Sequence, residues 1–231
     1  PTHLIGNDAF QEADTTGITR PCTKHNYLVR DVKDLGRVMQ EAMYVARSGR
    51  PGPVVIDLPK DVLINEASYE LGKKLVVKHK TYRPQIKGDN AKIREAVELI
   101  AKAKRPLFYC GGGVVNSGPR GSKLLAEFVR ITGYPITLTL MGLGVFPATD
   151  KQFLGMVGMH GTYESNLAMH GCDVMINIGA RFDDRVTGLI SEFSPDSKKI
   201  HVDIDPSSIN KNVAVDVPII GDCASILAEM I

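Results

Sequence analysis

The chain has 231 residues, 43% of them hydrophobic and 23% charged, which is ordinary globular material for one large domain or two smaller ones. Its 28 Lys and Arg against 26 Asp and Glu leave a net charge of +2, which disfavours nucleic acid or an anionic membrane as a partner. The four cysteines are widely spaced, which disfavours a zinc site and a disulfide framework and favours a reducing compartment. There is no signal-peptide pattern and no apolar run near the length of a membrane span.

The first 65 residues contain one clear helix and one clear strand. Apolar residues recur at helical spacing over residues 31–49, with Asp31 as the expected cap and Gly49 and Pro51 as the stop. The segment PVVIDLP (53–59) then predicts a buried strand. Because the sequence opens on PTHLIGNDAFQEAD without a methionine, we expect a piece of a longer protein.

Residues 61 to 90 keep neither the helical nor the strand period for long. A structureless stretch of that length is uncommon inside a compact domain, so it predicts an interdomain linker. A short extended piece is expected at KLVVKH (74–79).

From residue 90 onward, helices and strands alternate. Asp89 or Asn90 is expected to cap a helix that places Ile93, Val97 and Ile100 on one face. Strands are predicted at 105–110, 135–140, 173–180, 198–205 and 217–222, helices at 122–132, 164–169 and 223–231, a turn or helix at 206–210, and a long loop at 151–161. Five strands separated by helices or crossovers predict an α/β fold with a doubly wound parallel sheet.

Ligands of such sheets bind beyond the carboxyl ends of the strands. There, Gly111–Gly113 could offer backbone amides to phosphate oxygens. Arg181 and Arg185 could neutralise a pyrophosphate or a carboxylate. Asp203 and Asp205 stand where acidic side chains accept ribose hydroxyls. Together these residues predict a dinucleotide crevice without choosing between NAD, FAD and CoA.

Each motif also has a simpler explanation. The GGG triplet lacks the GxGxxG spacing, RFDDR could be a surface ion-pair network, and DID could be a capping turn. His160 could be an ordinary loop histidine. The remaining expectation is that Cys110, Cys172 and Cys223 are small apolar core residues.

Seven segments carry a family resemblance: GNDAFQE, CTKHNYLV, SGRPGPVVIDLPKDV, TLMGLGVFP, GMHGTYESN, GARFDDRVTG and HVDIDPSSINKN. In this order they resemble the catalytic subunits of the acetolactate synthase (acetohydroxyacid synthase) family. GRPGPVVIDLPKD is shared widely among thiamin-diphosphate enzymes, whereas GMHGTYESN with GARFDDRVTG is specific. The resemblance implies an enzyme of branched-chain amino-acid biosynthesis that joins pyruvate to pyruvate or 2-ketobutyrate, and that holds FAD without net redox chemistry.

The resemblance also implies a domain plan. Residues 1–65 correspond to the C-terminal part of the pyrimidine-binding domain, 66–88 to a linker, and 89–231 to the central FAD-binding domain. The family's catalytic glutamate would precede Pro1, and its motif for Mg²⁺ and the diphosphate would follow Ile231. This chain is therefore expected to supply no metal ligand and to be inactive alone. The implied context is the remaining domains of the catalytic subunit, a homo-oligomer (dimer or tetramer) and a small regulatory subunit, in bacterial cytoplasm or in an organelle stroma or matrix.

Residue by residue, the resemblance implies two sets of site residues. Arg185 would hold the carboxylate of the second ketoacid, with Asp184 orienting it. The active-site entrance would be lined by Phe10, Gln11, Lys60, Met159 and His160, and herbicides that block it would contact Pro1, Ala9 and Asp184. The FAD set comprises Arg50, Gly111, Gly112, Gly113, Thr139, Leu140, Met141, the run from His160 and Gly161 to Gly179, Ala180 and Arg181, then Asp183, Asp184, Asp203, Ile204, Gly221 and Asp222.

Two alternatives remain at this point. The chain could be a stand-alone dinucleotide-binding module, or a fragment of another flavin-retaining thiamin-diphosphate enzyme such as glyoxylate carboligase or pyruvate oxidase. Arg185 discriminates, because an oxidase must use its flavin and needs no site for an acceptor ketoacid.

Overall fold

A computed structural model describes residues 1–68, 77 and 81–231. The chain divides into two compact units, residues 1–83 and 84–231, and each is described by itself.

The first unit is built on two parallel strands. β1 (His25–Leu28) pairs with β2 (Val54–Asp57), and α2 (Leu35–Arg47) lies between them in the chain. Two short helices, α1 (Thr15–Thr19) and α3 (Lys60–Ile64), precede β1 and follow β2. The strand predicted at 53–59 is confirmed over Val54–Asp57, but its predicted burial is wrong, because all four residues are only half-buried. Ile56 of this strand packs in one cluster with Val38 and Leu35 of α2.

The predicted helix at 31–49 starts too early. Residues Val32–Asp34 form a 3-10 turn, in which the Asp31 carboxylate accepts the N–H of Lys33 at 2.9 Å, and the α-helix begins only at Leu35. The apolar spacing itself is confirmed, because Val38, Ala42 and Val45 are the buried residues of α2.

The predicted linker contains ordered elements at both ends. Residues 61–64 belong to α3. Near the other end, the carbonyl of Ile86 accepts the N–H of Asp222 at 2.9 Å, so the backbone of Ile86 is bonded within the second unit. The extended piece predicted at 74–79 lies outside the described residues apart from Val77.

A six-stranded parallel sheet forms the centre of the second unit. Its strands are β3 (Pro106–Cys110), β4 (Ile136–Leu138), β5 (Phe153–Met156), β6 (Val174–Ile178), β7 (Lys198–Asp203) and β8 (Val217–Ile220), in the order β5-β4-β3-β6-β7-β8. The five predicted strands are confirmed. The long loop predicted at 151–161 is wrong, because β5 lies inside it; this strand is only half buried and its pairing with β4 shifts register.

Helices cover both faces, so the doubly wound fold is confirmed. The helices of this unit are α4 (Asn90–Lys102), α5 (Gly112–Asn116), α6 (Gly118–Thr132), α7 (Tyr163–Gly171), α8 (Asp184–Thr187) and α9 (Cys223–Met230). α4, α6 and α9 pack on the face that contains Phe108 and Cys110, whereas Leu107 and Tyr109 face α7. α6 begins four residues before its predicted start at 122, with Pro119 in its first turn.

The three cysteines assigned to the core, Cys110, Cys172 and Cys223, are buried, as predicted. Burial is the largest cause that raises the pKa of the Cys223 thiol, to about 12. In the described ranges no helix is long and apolar enough to cross a bilayer.

We expect Asp89→Ala to destabilise the second unit by about 1 kcal/mol, the usual cost of losing an N-cap. The Asp89 carboxylate accepts the N–H groups of Ala91 and Lys92 at 2.8 and 3.1 Å, at the start of α4. Urea unfolding followed by circular dichroism measures the loss. Asn90→Ala is the matched control at the first helical position, and a loss as large as that of Asp89→Ala would contradict the assignment.

Candidate functional site

The order of the strands places a crevice between β3 and β6. From β3 the chain continues outward to β4 and β5, and from β6 it continues outward on the other side to β7 and β8. The connections that leave β3 and β6 therefore diverge at the carboxyl edge of the sheet. Such a switch point is where open α/β sheets bind their ligands.

At this point the two backbones touch. Gly113 donates its N–H to the carbonyl of Gly179 at 3.0 Å. A Cβ on Gly113 would lie 2.6 Å from the Gly179 Cα, and one on Gly111 would lie 2.5 Å from the Gly179 carbonyl oxygen. Gly179 itself has a left-handed φ of +66°. Glycine is therefore required on both sides of the switch point.

The same contact corrects a prediction about phosphate binding. The N–H of Gly111 donates to the carbonyl of Ile178 and that of Gly113 to the carbonyl of Gly179, both at 3.0 Å. Because both amides are already bonded inside the protein, the prediction that the triplet offers backbone amides to phosphate is wrong for Gly111 and Gly113. Gly112 is the first residue of α5.

The turn at 139–141 packs beside the glycine triplet. Thr139 donates its N–H to the carbonyl of Cys110 at 2.9 Å, and its hydroxyl oxygen accepts the N–H of Gly142 at 3.1 Å. A Cβ on Gly112 would lie 3.2 Å from Met141 Cβ. Leu140 and Met141 are 67% and 74% exposed, so this turn presents apolar side chains to solvent at the crevice.

We name residues 181–185, which follow β6, the charged loop. Arg181 pairs with Asp183, which also accepts the N–H of Arg185 at 2.9 Å and so caps α8. That backbone bond, with Asp184 and the two arginines, holds the pKa of Asp183 below its usual value. The alternative of a surface ion-pair network thus holds for Arg181 and Asp183. Among the described residues no ion pair joins Asp184 to Arg185, and the predicted role of Asp184 in orienting Arg185 stays a prediction.

The loop after β5 reaches the charged loop through the backbone. Met159 donates its N–H to the carbonyl of Arg185 at 2.8 Å, and a Cβ on Gly158 would lie 2.7 Å from the same oxygen. Asn166 fixes this loop by bonding both the N–H and the carbonyl of Gly158 at 3.0 Å. The structure therefore places exposed Met159 against the backbone of Arg185, with exposed His160 and then Gly161 following it in the chain. The role of Met159 and His160 in lining an active-site entrance stays a prediction.

The acidic residues beyond β7 and β8 already have structural partners. One Asp203 oxygen accepts the N–H of Asp205 at 2.8 Å, and only 12% of the Asp203 side chain is exposed. Asp222 caps α9 through the N–H of Ser225 at 3.0 Å and accepts the hydroxyl of Ser117 at 2.7 Å. The capping alternative for DID is correct for Asp205, whose carboxylate accepts the N–H of Ser207 at 3.0 Å at the start of the 3-10 turn Pro206–Ser208. Ile204 and Gly221, the other predicted residues here, lie at the same strand ends.

The remaining predicted residues belong to the first unit. Phe10 is 93% exposed, and Gln11, with a left-handed φ of +58°, is exposed as well. The others are Pro1, Ala9, Arg50 and Lys60. Their participation in one site with Arg185 stays a prediction. In the described part of the chain, no three His, Cys, Asp or Glu side chains form a group that could hold a metal ion.

Reasoning from the sequence missed two asparagines that shape the crevice. Asn177, fully buried in β6, accepts the N–H of Ala180 at 3.1 Å and donates to its carbonyl at 2.7 Å. Asn212 donates to the carbonyl of Phe182 at 2.8 Å. The available signal was a lone amide inside the apolar strand MINIGA, since a buried polar group needs a partner.

Residues 93–230 match the family described as thiamine pyrophosphate enzyme, central domain. The chain therefore belongs to the thiamine pyrophosphate enzymes. It is 45% identical to the acetolactate synthase isozyme 3 large subunit of Escherichia coli (strain K12) and 44% to the acetolactate synthase large subunit of Haemophilus influenzae. A probable acetolactate synthase large subunit of Methanocaldococcus jannaschii is 48% identical.

These similarities cover 100% of the chain, which spans only 39–40% of the length of each relative. The resemblance to acetolactate synthase catalytic subunits is thereby confirmed.

We expect Gly113→Ala to destabilise the second unit by about 1–3 kcal/mol, the usual cost of overpacking. The added methyl group would meet backbone atoms of Gly179 that cannot move without disturbing β6. Thermal unfolding measures the loss. Gly171→Ala is the control, since a Cβ at this helical position meets nothing within 4 Å. Equal stability of the two variants would show that the close contact is dispensable.

Proposed function

We propose that this chain is part of the catalytic subunit of an acetolactate synthase, which condenses pyruvate with pyruvate or 2-ketobutyrate. The observation that carries the proposal is the placement of the charged loop at the switch point, with exposed Arg185 bonded through its carbonyl to the N–H of Met159. Similarity to acetolactate synthase large subunits over the whole chain supports it. A stand-alone module or another flavin-retaining enzyme is not favoured, because neither would account for that similarity.

The proposed role of Arg185 is to bind the carboxylate of the second ketoacid. A guanidinium fork matches a planar carboxylate through two parallel hydrogen bonds, a geometry that an ammonium group does not reproduce. Two contacts fix its backbone: the N–H is bonded to Asp183 and the carbonyl to Met159. Thiamin diphosphate, whose main ligands and Mg²⁺ would lie outside this chain, supplies the electron sink for decarboxylation.

The crevice also fits FAD by the chemistry of its residues. Arg181 offers a cation that is 59% exposed, suited to a diphosphate, and Leu140 and Met141 offer apolar contact area. The proposed FAD residues of the second unit lie at the carboxyl ends of β3, β4, β6, β7 and β8 or directly after them, and His160 and Gly161 follow β5. In acetolactate synthases the flavin is held without net redox chemistry, so these residues bind and orient.

The proposed context follows the same family. The substrates are 2-ketoacids. The partners are the remaining domains of the catalytic subunit, further copies in a homo-oligomer and a small regulatory subunit. The pathway is branched-chain amino-acid biosynthesis, and herbicides that block the entrance would contact Pro1, Ala9 and Asp184.

We expect the purified chain to retain FAD after incubation and desalting, with a flavin absorbance band near stoichiometry. Arg181→Gln should reduce retention, because it removes the cation placed for the diphosphate. Arg105→Gln is the control, since exposed Arg105 directly precedes β3 at the opposite edge of the sheet. Absence of retained flavin in the unaltered chain would refute flavin binding by this chain alone.

We expect Arg185→Lys, in a catalytic subunit that contains this chain, to impair carboligation more than decarboxylation of the first pyruvate. The substitution keeps the charge and removes the bidentate geometry, so it should raise the KM for the acceptor ketoacid. Separate assays of CO₂ release and acetolactate formation measure the two steps, with Arg105→Lys as the control. Equal loss of both steps would rule out the acceptor role.

A further inference from the structure

The charged loop contains one residue that the proposed function does not use. Phe182 stands between Arg181 and Asp183, yet it is only 1% exposed. Its ring centroid lies 5.7 Å from that of Tyr109, 5.9 Å from that of Phe193 and 5.0 Å from that of His201. An aromatic ring from the middle of a charged segment is therefore buried in the core on the face of the sheet that contains Leu107 and Tyr109.

The backbone of Phe182 adopts a costly conformation. Its φ is +52°, in the left-handed region that bulky residues seldom occupy. Such strain persists only where the surroundings hold the residue in place. Here the carbonyl of Phe182 accepts a hydrogen bond from Asn212. Two residues earlier, the N–H and the carbonyl of Ala180 are both bonded to the side chain of Asn177.

We propose that Phe182 is the positioning residue of the charged loop. Its buried ring fixes the left-handed turn, which leaves Arg181 exposed at the crevice and places Asp183 to cap the helix that carries Arg185. The identity of the bound ligands rests on the proposed function, whereas the anchoring of the loop does not.

The simpler explanation is that Phe182 only adds apolar area to the core. Phe128 provides the comparison, because it is also buried, at 5% exposure, and its ring lies 5.4 Å from that of Phe108 on the other face. If the simpler explanation holds, replacing either ring by a methyl group should lower stability and leave the charged loop as ordered as before.

Hydrogen exchange followed by mass spectrometry, on the chain without flavin, separates these explanations. We expect Phe182→Ala and Phe128→Ala both to lower the Tm, and Phe182→Ala alone to speed exchange selectively within residues 180–188. Selective loss of protection there in Phe128→Ala, or its absence in Phe182→Ala, would overturn the proposal.

Phe182→Gly separates the ring from the backbone strain. Glycine adopts the left-handed conformation without penalty but has no ring to bury. If the ring is the anchor, this variant opens the loop as Phe182→Ala does; retained protection would overturn the proposal. Should Phe182→Ala fail to fold, Phe182→Leu, which fills part of the same volume, should give partial opening, and unchanged exchange would again overturn it.

Flavin binding supplies a readout that core packing alone would not move. If the loop opens, Arg181 no longer holds the position from which it would contact FAD, and a misplacement of about 1 Å is enough to weaken a contact strongly. We therefore expect the dissociation constant for FAD to rise on the order of tenfold or more in Phe182→Ala. It should be unchanged in Phe128→Ala at temperatures where both variants are folded. An unaltered chain that binds no FAD would refute flavin binding by this chain alone, and the exchange comparison would still decide the role of Phe182.

Discussion

At the carboxyl ends of β3 and β6, two backbones touch with no side chain between them. Gly113 donates its N–H to the carbonyl of Gly179, and a Cβ on Gly111 or Gly179 would collide with backbone atoms of the facing segment. β3 and β6 pair over five consecutive residues at the centre of the sheet. Because the chain leaves these strands in opposite directions, the close contact below and the diverging loops above together create the crevice.

The central strands and the helices that pack on them could be predicted from the sequence, whereas the edge strand β5 could not. β3 and β6 are fully buried apolar runs, and α4 carries its apolar residues at helical spacing. β5 is a half-buried edge strand of four residues that is interrupted by Gly155 at a φ of +107°, and a glycine inside a short apolar segment weakens the sequence signal for a strand. Its formation depends on pairing with β4, which is a tertiary contact.

The residue types of the site could likewise be predicted, but the use of each polar group could not. The sequence placed glycines, arginines and acids at the strand ends, where the structure has them. Which N–H is already bonded depends on the approach of a distant strand, as with Gly113 and Gly179. Asp222 likewise caps α9 and accepts from Ser117, 105 positions away in the chain. Such pairings become visible only once the sheet order is known.

The two arginines of the charged loop differ in how far their charge is neutralised by a carboxylate. Asp183 uses one oxygen to cap α8 and the other to pair with Arg181, so an anion that approaches Arg181 competes with a carboxylate already present. Within the described residues, no carboxylate lies within ion-pair distance of Arg185, although Asp183 is close enough for that arginine to help lower its pKa. An incoming anion can therefore pair with Arg185 without displacing a carboxylate, whereas at Arg181 it must compete with Asp183. The proposed assignments follow this difference, since a small ketoacid offers one carboxylate and few other contacts, whereas a large cofactor can bind an already paired arginine through many further contacts.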